Sequence, residues 1–247
     1  VDDEQSCGAN ALSFPMGPAT TNPVPVVISD QPVFVEQPTG NDTLAKAQYV
    51  SLPGILSGRM DRDEDVDYFS FAATKDESYS FEVMARRQGS ALDSYLRILD
   101  ESGRQLAIND DLRFGKRSSS DSAIESWTAP ADGLYLIEIR GLHGGGGPEF
   151  TYAITASRAA PDFRLWLDTD KTQLTPGTCG AIFVRAERRN GFAGEIQLNV
   201  AGLPHAVAAS CGRILAKGQD GCILLEADPD APHDASNVVV YGTATHD

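Results

Sequence analysis

The chain has 247 residues, with 35 Asp or Glu against 20 Lys or Arg, and its formal net charge is −15. A surface this acidic repels nucleic-acid phosphates and anionic lipid headgroups. We therefore expect neither nucleic acid nor a membrane surface as a partner. No apolar run approaches the ~20 residues of a transmembrane helix, so membrane insertion is not expected. The carboxylate excess instead favours divalent cations, and the length suits two domains.

The first 35 residues are rich in proline, which interrupts both helices and strand ladders. Only Val24–Ser29 and Val33–Glu36 have the pattern of extended segments. We therefore predict that residues 1–35 form an extended arm or the tail of an upstream module. The N-terminus has no basic region followed by an apolar core, so no signal peptide is predicted.

Apolar and polar residues then alternate with the period of strands that are buried on one face. Turn signals such as Asp100–Gly103 and Pro130–Gly133 separate the segments. Strands recurring roughly every 10–12 residues predict an antiparallel sandwich or jelly roll over residues 36–158. The predicted strands are Asp67–Ala72, Tyr79–Ala85, Tyr95–Leu99, Ala123–Trp127, Leu134–Ile139 and Thr151–Ala156.

A hinge is predicted at Ala159-Ala-Pro161, followed by a second all-β unit over residues 162–247. About 85 residues with this turn spacing suit a seven-stranded immunoglobulin-like sandwich, although the Cys…Trp…Cys spacing of true immunoglobulin domains is missing. The predicted fold is therefore all-β, with two tandem sandwiches behind an extended arm. The strands predicted in the second unit are Phe163–Leu167, Ala181–Glu187, Glu195–Val200, Cys222–Ala227 and Asn237–Thr243.

The four cysteines, Cys7, Cys179, Cys211 and Cys222, form no Cys-x-x-Cys pair, so a zinc site is not supported. One interpretation is that they are buried or free thiols. The other is a disulfide in an exported protein, and Cys211 with Cys222 is then the favoured pair because a turn signal lies between them.

Acidic residues alternate in the segment that contains Asp61, Asp63, Asp65 and Asp67. In an extended loop these side chains point to one side, where they repel one another unless a cation or hydrogen-bond donors lie between them. Calcium takes about six to eight oxygen ligands, which clustered carboxylates supply. We predict a calcium site here, with a solvated acidic turn as the alternative.

A second possible metal cluster lies further along the chain. It consists of side chains that can converge at one end of the sandwich, namely Asp93, Asn109, Asp110, Asp111 and Asp121. The alternative is that these side chains cap turns through local hydrogen bonds to the backbone.

Catalysis is not expected from the motifs. Asp110 and Asp111 are the closest approach to a glycosidase acid pair, but neighbours on a strand point to opposite faces. The chain has no Gly-x-Ser-x-Gly elbow, and no His-Glu-x-x-His motif includes any of its histidines, His143, His205, His233 and His246.

Several motifs together resemble the bacterial pre-peptidase C-terminal domain. They are Gly58, Asp65–Phe71, Gly89–Asp93, Leu99–Gly103, Leu106–Asp111, Asp121-Ser122 and Asp132–Tyr135. That family is a β-sandwich appended to secreted proteases and other exported proteins, and it is similar to the collagen-binding modules of clostridial collagenases. The resemblance implies an extracellular or cell-surface location. It also implies a calcium site, in which Glu36, Asn41 and Asp42 match the acidic linker and Asp65 and Asp67 match the loop.

Residues 162–244 resemble the Ig-like modules of very large exported bacterial proteins, through Arg188–Leu198 and Gly202–Pro204. Both resemblances imply a non-catalytic structural or adhesive role, with neighbouring domains of the same precursor or other surface proteins as partners. The alternative is an accessory module of a secreted hydrolase that binds polysaccharide or fibrous protein. It needs an exposed aromatic row on a sheet face, for which Tyr95, Phe114 and Trp166 are candidates.

Overall fold

The computed structural model describes residues 8–37, 40–114 and 117–245. Two short 3-10 helices, Leu44–Lys46 and Arg86–Gln88, interrupt a chain that is otherwise built from strands, which confirms the all-β prediction. Within the described ranges, neither helix is long or apolar enough to cross a membrane. The strands are β1 (Gly8–Leu12), β2 (Pro15–Met16), β3 (Ala19–Thr20), β4 (Val24–Ile28), β5 (Val33–Val35), β6 (Gln48–Tyr49), β7 (Gly54–Arg59), β8 (Val66–Ala73), β9 (Ser78–Met84), β10 (Ser94–Asp100), β11 (Gln105–Asn109), β12 (Leu112–Phe114), β13 (Arg117–Ser119), β14 (Ala123–Thr128), β15 (Gly133–Gly141), β16 (Thr151–Arg158), β17 (Asp162–Leu167), β18 (Cys179–Arg189), β19 (Ile196–Ala201), β20 (Val207–Cys211), β21 (Arg213–Ile214), β22 (Asp220–Ala227) and β23 (Val239–Thr243).

The chain divides into two compact units, one ending at Ala159 and the other beginning at Ala160. The first unit is a sandwich of two five-stranded sheets. Sheet I has the order β11-β10-β15-β8-β6, and sheet II has the order β14-β9-β16-β7-β5. Neighbouring strands are antiparallel except at one edge of each sheet, where β6 pairs with β8 and β5 pairs with β7 in parallel.

Alternating burial builds the core between these sheets. In β8, Phe69 and Phe71 are fully buried, whereas Tyr68 and Ser70 between them are only partly buried. Burying one such ring stabilises the fold by about 1.5–3 kcal/mol. The ring of Phe71 lies at the centre of an aromatic cluster with Tyr79, Phe81, Trp127 and Tyr135.

The six strands predicted for this unit all form, as β8, β9, β10, β14, β15 and β16. Strand β7 was not predicted, because Gly54 and Gly58 interrupt its alternation of apolar and polar residues. It nevertheless pairs with β16 along its whole length and lies next to the candidate site described below.

The predicted boundary between the arm and the first sandwich, at residue 36, is wrong. Strand β5 pairs with β7, with Val33 opposite Ile55, and Phe34 packs against the core. Residues 33–35 therefore belong to the sandwich. Further upstream, β1 pairs with β4 and β2 with β3, so the arm is a β-ribbon. Residues 1–7 of the predicted arm lie outside the described residues.

The second unit contains a four-stranded sheet, β17-β18-β22-β20, and a three-stranded sheet, β21-β19-β23. Its core includes Val184, Ile196, Leu198 and Ile223. The five strands predicted for this unit form as β17, β18, β19, β22 and β23, whereas β20 and β21 were not predicted. Together these elements make seven strands among the described residues.

The predicted disulfide between Cys211 and Cys222 does not form, and both thiols are free. In the pairing of β20 with β22, Cys211 lies opposite Ile223, the residue after Cys222. Successive residues of a strand point to opposite faces, so the two sulfur atoms lie on opposite faces of the sheet. Cys211 accordingly packs against the core, while Cys222 pairs with the exposed Phe183.

Candidate metal centre

Three carboxylates gather where the linker after β5 meets the loop between β7 and β8. Asp42, Asp65 and Asp67 each offer an oxygen atom, and these atoms lie within 4.8 Å of one another. Calcium–oxygen distances are about 2.3–2.6 Å, so one ion can contact all three. Asp65 and Asp67 are buried, and Asp42 is at the exposed mouth of the group.

Backbone hydrogen bonds hold the linker and the loop in this arrangement. The carbonyl of Asn41 accepts a hydrogen bond of 2.9 Å from the N–H of Tyr68, which fixes the linker beside β8. The loop folds back on itself, because the N–H of Asp61 donates to Asp65 Oδ2 at 2.6 Å. Asp65 is therefore positioned by its own loop, and Asp67 by the strand.

A fourth carboxylate lies beside Asp67. Glu36 follows the edge strand β5, and its Oε2 accepts a hydrogen bond of 2.8 Å from the N–H of Arg59. Burial raises the pKa of Glu36, and the nearby charges of Asp61 and Asp65 act in the same direction. Burial also raises the pKa of Asp67, to about 8, with the charge of Glu36 adding to the effect. Without a cation, this pair therefore favours a shared proton over two negative charges.

Buried polar atoms without a hydrogen-bond partner lie in the same group. Asn41 is fully buried, and neither its Oδ1 nor its Nδ2 has a partner. The Oδ1 atoms of Asp65 and Asp67 also accept no hydrogen bond. An unpartnered buried polar atom is costly, and oxygen atoms of this kind are the ligands that calcium prefers. The side chains therefore fit a calcium ion.

Gly58 keeps the floor of the site open. A Cβ atom at this position would lie closer than 3.0 Å to the hydroxyl of Tyr152 and to Oε2 of Glu36. The hydroxyl of Tyr152 donates a hydrogen bond of 2.7 Å to Asp67 Oδ2. Because Gly58 has no side chain, Tyr152 and Glu36 can both approach the backbone of β7 beneath Asp67.

The alternating carboxylates of the loop do not all point into the site. Asp63, which was predicted as a ligand, is exposed, and its Oδ1 accepts a hydrogen bond of 3.2 Å from the N–H of Gly146. Asp61 pairs instead with Arg59. The assumption of an extended loop is wrong, because Glu64 has a left-handed backbone with φ of 61° that turns the chain.

Among the described residues, the acidic side chains of the second predicted cluster do not form a group of three ligand atoms, and Asp121 has other partners. Its side chain is fully buried and accepts hydrogen bonds from the N–H groups of Ala85, Arg86 and Arg87 and from Arg87 Nε. Its charge is therefore already compensated, and its role is to organise the turn after β9. These partners lie 34 to 36 positions earlier in the chain, so Asp121 caps a distant turn and not a local one.

The other members of that cluster have different partners. The Oδ1 of Asn109 accepts a hydrogen bond of 2.8 Å from a backbone N–H of β14. Asp110 and Asp111 are exposed and, with Asn109, line an open cleft of about 400 Å³. Asp93 lies 3.4 Å from His143 Nε2, and its neighbour Ser94 is hydrogen-bonded to Ser120 and Ser122 on either side of Asp121. The chain therefore brings parts of the cluster near one another, but among the described residues its carboxylates do not gather into a group of three ligand atoms.

Two residues of the centre were missed by sequence reasoning. Tyr152 was assigned only to a strand, and nothing local links it to Asp67, which is 85 positions earlier. Arg62 could have been identified from the sequence, because it is a basic residue within the acidic loop. Its guanidinium pairs with Asp42 and Asp65 at the mouth of the site.

A second surface of interest is the outer face of sheet I. Arg97, Glu138 and Tyr68 lie side by side on β10, β15 and β8, and Arg97 Nε donates to Glu138 Oε1 at 2.8 Å. In the next row, the guanidinium of Arg140 lies 4.5 Å from the ring centroid of Tyr95. Exposed apolar side chains on the same face are Tyr49, Ile108 and Leu134.

Tyr95 is one of the three residues predicted to stack on a ligand, and it lies on this face. Trp166 lies in β17 of the second unit and is half-buried. The side chain of Phe114 lies outside the described part of the chain.

Comparisons with known proteins give partial matches. A scan against protein-family models finds no match. Over 102 residues the chain is 37% identical to a probable subtilase-type serine protease of Deinococcus radiodurans, and the match covers 40% of this chain and 13% of that protein. Among solved structures, the pre-peptidase C-terminal domain of a collagenase from Bacillus anthracis aligns with a TM-score of 0.35 and 14% identity, covering 45% of this chain and 94% of that domain.

Proposed function

We propose that the first unit is a calcium-stabilised, non-catalytic accessory module of a larger exported bacterial hydrolase. The observation that carries the calcium assignment is the group of Asp42, Asp65 and Asp67, with its unpartnered buried oxygen atoms and the fully buried Asn41. Carboxylate and amide oxygens are hard donors suited to calcium rather than to zinc.

Calcium at this position would add a direct link between two parts of the chain that are distant in sequence. Glu36, Asn41 and Asp42 come from the linker, whereas Asp65 and Asp67 come from the loop and strand of the sandwich. An ion shared between them would fix the connection between β5 and β6 against the loop between β7 and β8. Extracellular calcium modules work with weak sites, with dissociation constants of about 10⁻⁴–10⁻³ M, which suits a centre in which Asp42 remains exposed.

The assignment to a hydrolase is supported by the Deinococcus radiodurans relative, whose name describes a protease. The chain spans 13% of that protein, which favours an attached module over the catalytic domain itself. Its location would accordingly be extracellular or at the cell surface. The second unit, with its seven strands in two sheets, would be an Ig-like spacer.

Calorimetry of the whole chain tests the calcium assignment. Calcium at about 10 mM is roughly 10 to 100 times a dissociation constant of about 10⁻³–10⁻⁴ M, and it would stabilise the folded state by about 1.4–2.7 kcal/mol. We therefore expect this concentration to raise the melting midpoint of the first unit by roughly 3–15 °C relative to excess chelator. Asp67→Asn should remove most of this response. It should also raise the midpoint in chelator, because the amide is uncharged and can be buried beside Glu36 without taking up a proton.

The matched control is Asp110→Asn, which removes an exposed carboxylate that lies outside the centre. It should leave the calcium response unchanged. Identical melting curves of the parent chain in chelator and in calcium would refute the calcium assignment, and an equal loss of response in both variants would show that the effect is general charge screening.

The outer face of sheet I supports a second candidate function, the binding of a polysaccharide or fibrous protein. Tyr49, Tyr68 and Tyr95 present aromatic rings on one face, and Arg140 lies over one of them. Such rings stack on sugar rings and pack against fibrous proteins. Pull-down on cellulose, chitin and collagen fibrils tests it. Tyr95→Ala should reduce capture, whereas Tyr241→Ala in the second unit should not, and retention on none of the three would refute it.

A further inference from the structure

Arg62 lies over the mouth of the carboxylate group. Its Nη2 donates a hydrogen bond to Asp42 Oδ2 and lies 3.3 Å from Asp65 Oδ1. The hydrogen bond to Asp42, and then the charge of Asp65, raise the pKa of Arg62 above its usual value. One guanidinium nitrogen therefore contacts two of the three carboxylates that would hold a cation.

That nitrogen and a calcium ion cannot occupy the group together. An ion about 2.3–2.6 Å from oxygens of Asp42 and Asp65 would lie in the space between them, where the guanidinium nitrogen now donates. Two positive charges at that separation also repel each other strongly. Calcium entry therefore requires Arg62 to withdraw from at least one of the two carboxylates.

We propose that Arg62 is a built-in counter-ion of this centre, which neutralises the carboxylates when calcium is scarce and is displaced when calcium binds. This inference rests on the proposed calcium site and adds to it a residue that sets its affinity. The protein then remains folded at low calcium, at the expense of weaker calcium binding.

The position of Arg62 suits a displaceable group. Its side chain is 62% exposed, so it can move away from the carboxylates into solvent with little loss of packing. Arg97, by contrast, is 25% exposed and pairs with a buried Glu138 within a sheet. Displacing Arg97 would leave the buried charge of Glu138 without a partner. Arg62 also lies in a turn rather than a strand, so its movement breaks no strand pairing.

The test compares Arg62→Gln with Arg59→Gln in the full chain. Arg59 is the matched control, because it is a partly exposed arginine three positions earlier that pairs with Asp61 outside the three-carboxylate group. By calorimetric titration with calcium chloride, we expect Arg62→Gln to bind calcium about three- to tenfold more tightly than the parent, a size typical of losing one or two partly exposed ion pairs. In chelator it should melt at a lower temperature than the parent. Arg59→Gln should change both quantities much less.

The outcomes separate this inference from the calcium site itself. If the parent binds calcium and Arg62→Gln binds it no more tightly than Arg59→Gln does, the counter-ion proposal fails while the calcium site stands. If neither the parent nor Arg62→Gln binds calcium, the site fails and the proposal with it. If Arg62→Gln alone binds measurably, the proposal is supported and the site in the parent is shown to be blocked.

Discussion

The hydroxyl of Tyr152 in sheet II donates a hydrogen bond of 2.7 Å to the carboxylate of Asp67 in sheet I, so the two sheets are joined directly beneath the candidate metal centre. Both side chains are buried, and the bond is made to Asp67 Oδ2, while Asp67 Oδ1 has no hydrogen-bond partner. The bond therefore links the packing of the two sheets to the protonation and ion contacts of Asp67.

Tyr152→Phe should lower the stability of the first unit by about 1–3 kcal/mol in chelator, because it leaves a buried carboxylate oxygen unpaired. Calcium should reduce the difference in unfolding free energy between Tyr152→Phe and the parent, since the ion would then contact Asp67. Urea unfolding followed by Trp127 fluorescence, in a Trp166→Phe background, measures this. The control is Tyr241→Phe in the second unit, and equal losses from the two variants would contradict the expectation.

Gly58→Ala should destabilise the first unit by about 1–3 kcal/mol and abolish its calcium response, since the added methyl group displaces Tyr152 or Glu36. Gly133→Ala is the matched control. Gly133 is also in a strand of the first sandwich, but an added Cβ there meets nothing within 4 Å. Thermal melting with and without calcium compares them, and a calcium response retained by Gly58→Ala would show that this glycine is not essential to the site.

The stability of the first unit in chelator should decrease as pH rises from about 4 to about 8. The pKa of Asp67 is about 8 in the folded chain and 3.8 ordinarily, so between these values the folded state holds a proton that the unfolded state has lost. Stability from this proton is present at low pH and disappears as pH passes the folded pKa. Calcium needs the ionised carboxylate, so it should flatten the decrease and release protons on binding near pH 7.

The measurement is the melting midpoint at pH 5 and pH 8, in chelator and in calcium, for the parent and for Asp67→Asn. The difference in melting midpoint between the parent and Asp67→Asn separates the contribution of Asp67 from that of the other carboxylates. A parent that gains stability relative to Asp67→Asn between pH 5 and pH 8 in chelator would overturn the assignment.

In the second unit, Arg188 donates hydrogen bonds of 2.7–2.8 Å to the carbonyls of Gly194, Leu215 and Gly218. Arg188→Ala should cost this unit about 2–3 kcal/mol, because three carbonyls lose a charged donor. The exposed Arg213→Ala is the control. Because the chain divides at Ala159, the calcium-dependent midpoint of the first unit should not move. A shift of that midpoint in Arg188→Ala would show that the two units unfold together.

Strand positions were predictable from the sequence because burial alternates locally along a strand. Phe69 and Phe71 face the core while Tyr68 and Ser70 face outward, and that pattern can be read within one segment. Strand β7 escaped prediction because Gly54 and Gly58 carry no side-chain pattern. Its identity as a strand depends on pairing with β16, nearly a hundred residues away.

The carboxylates of the centre were predictable only in part. A spacing of two suggested that Asp63, Asp65 and Asp67 point the same way, but Glu64 adopts a left-handed backbone and sends Asp63 to Gly146. In the same way, Cys211 and Cys222 are close along the chain, yet a register shifted by one residue puts them on opposite faces of the sheet.

The sequence by itself determined the all-β fold, the acidic character of the first unit and the loop in which the centre lies, because composition and short-range periodicity are local properties of the chain. Only the tertiary structure decided which oxygen atoms meet. The linker strand β5, the loop before β8 and Tyr152 in β16 are brought together by sheet pairing across long sequence separations. The charge repulsion, the unpartnered atoms and the position of Arg62 arise from that convergence.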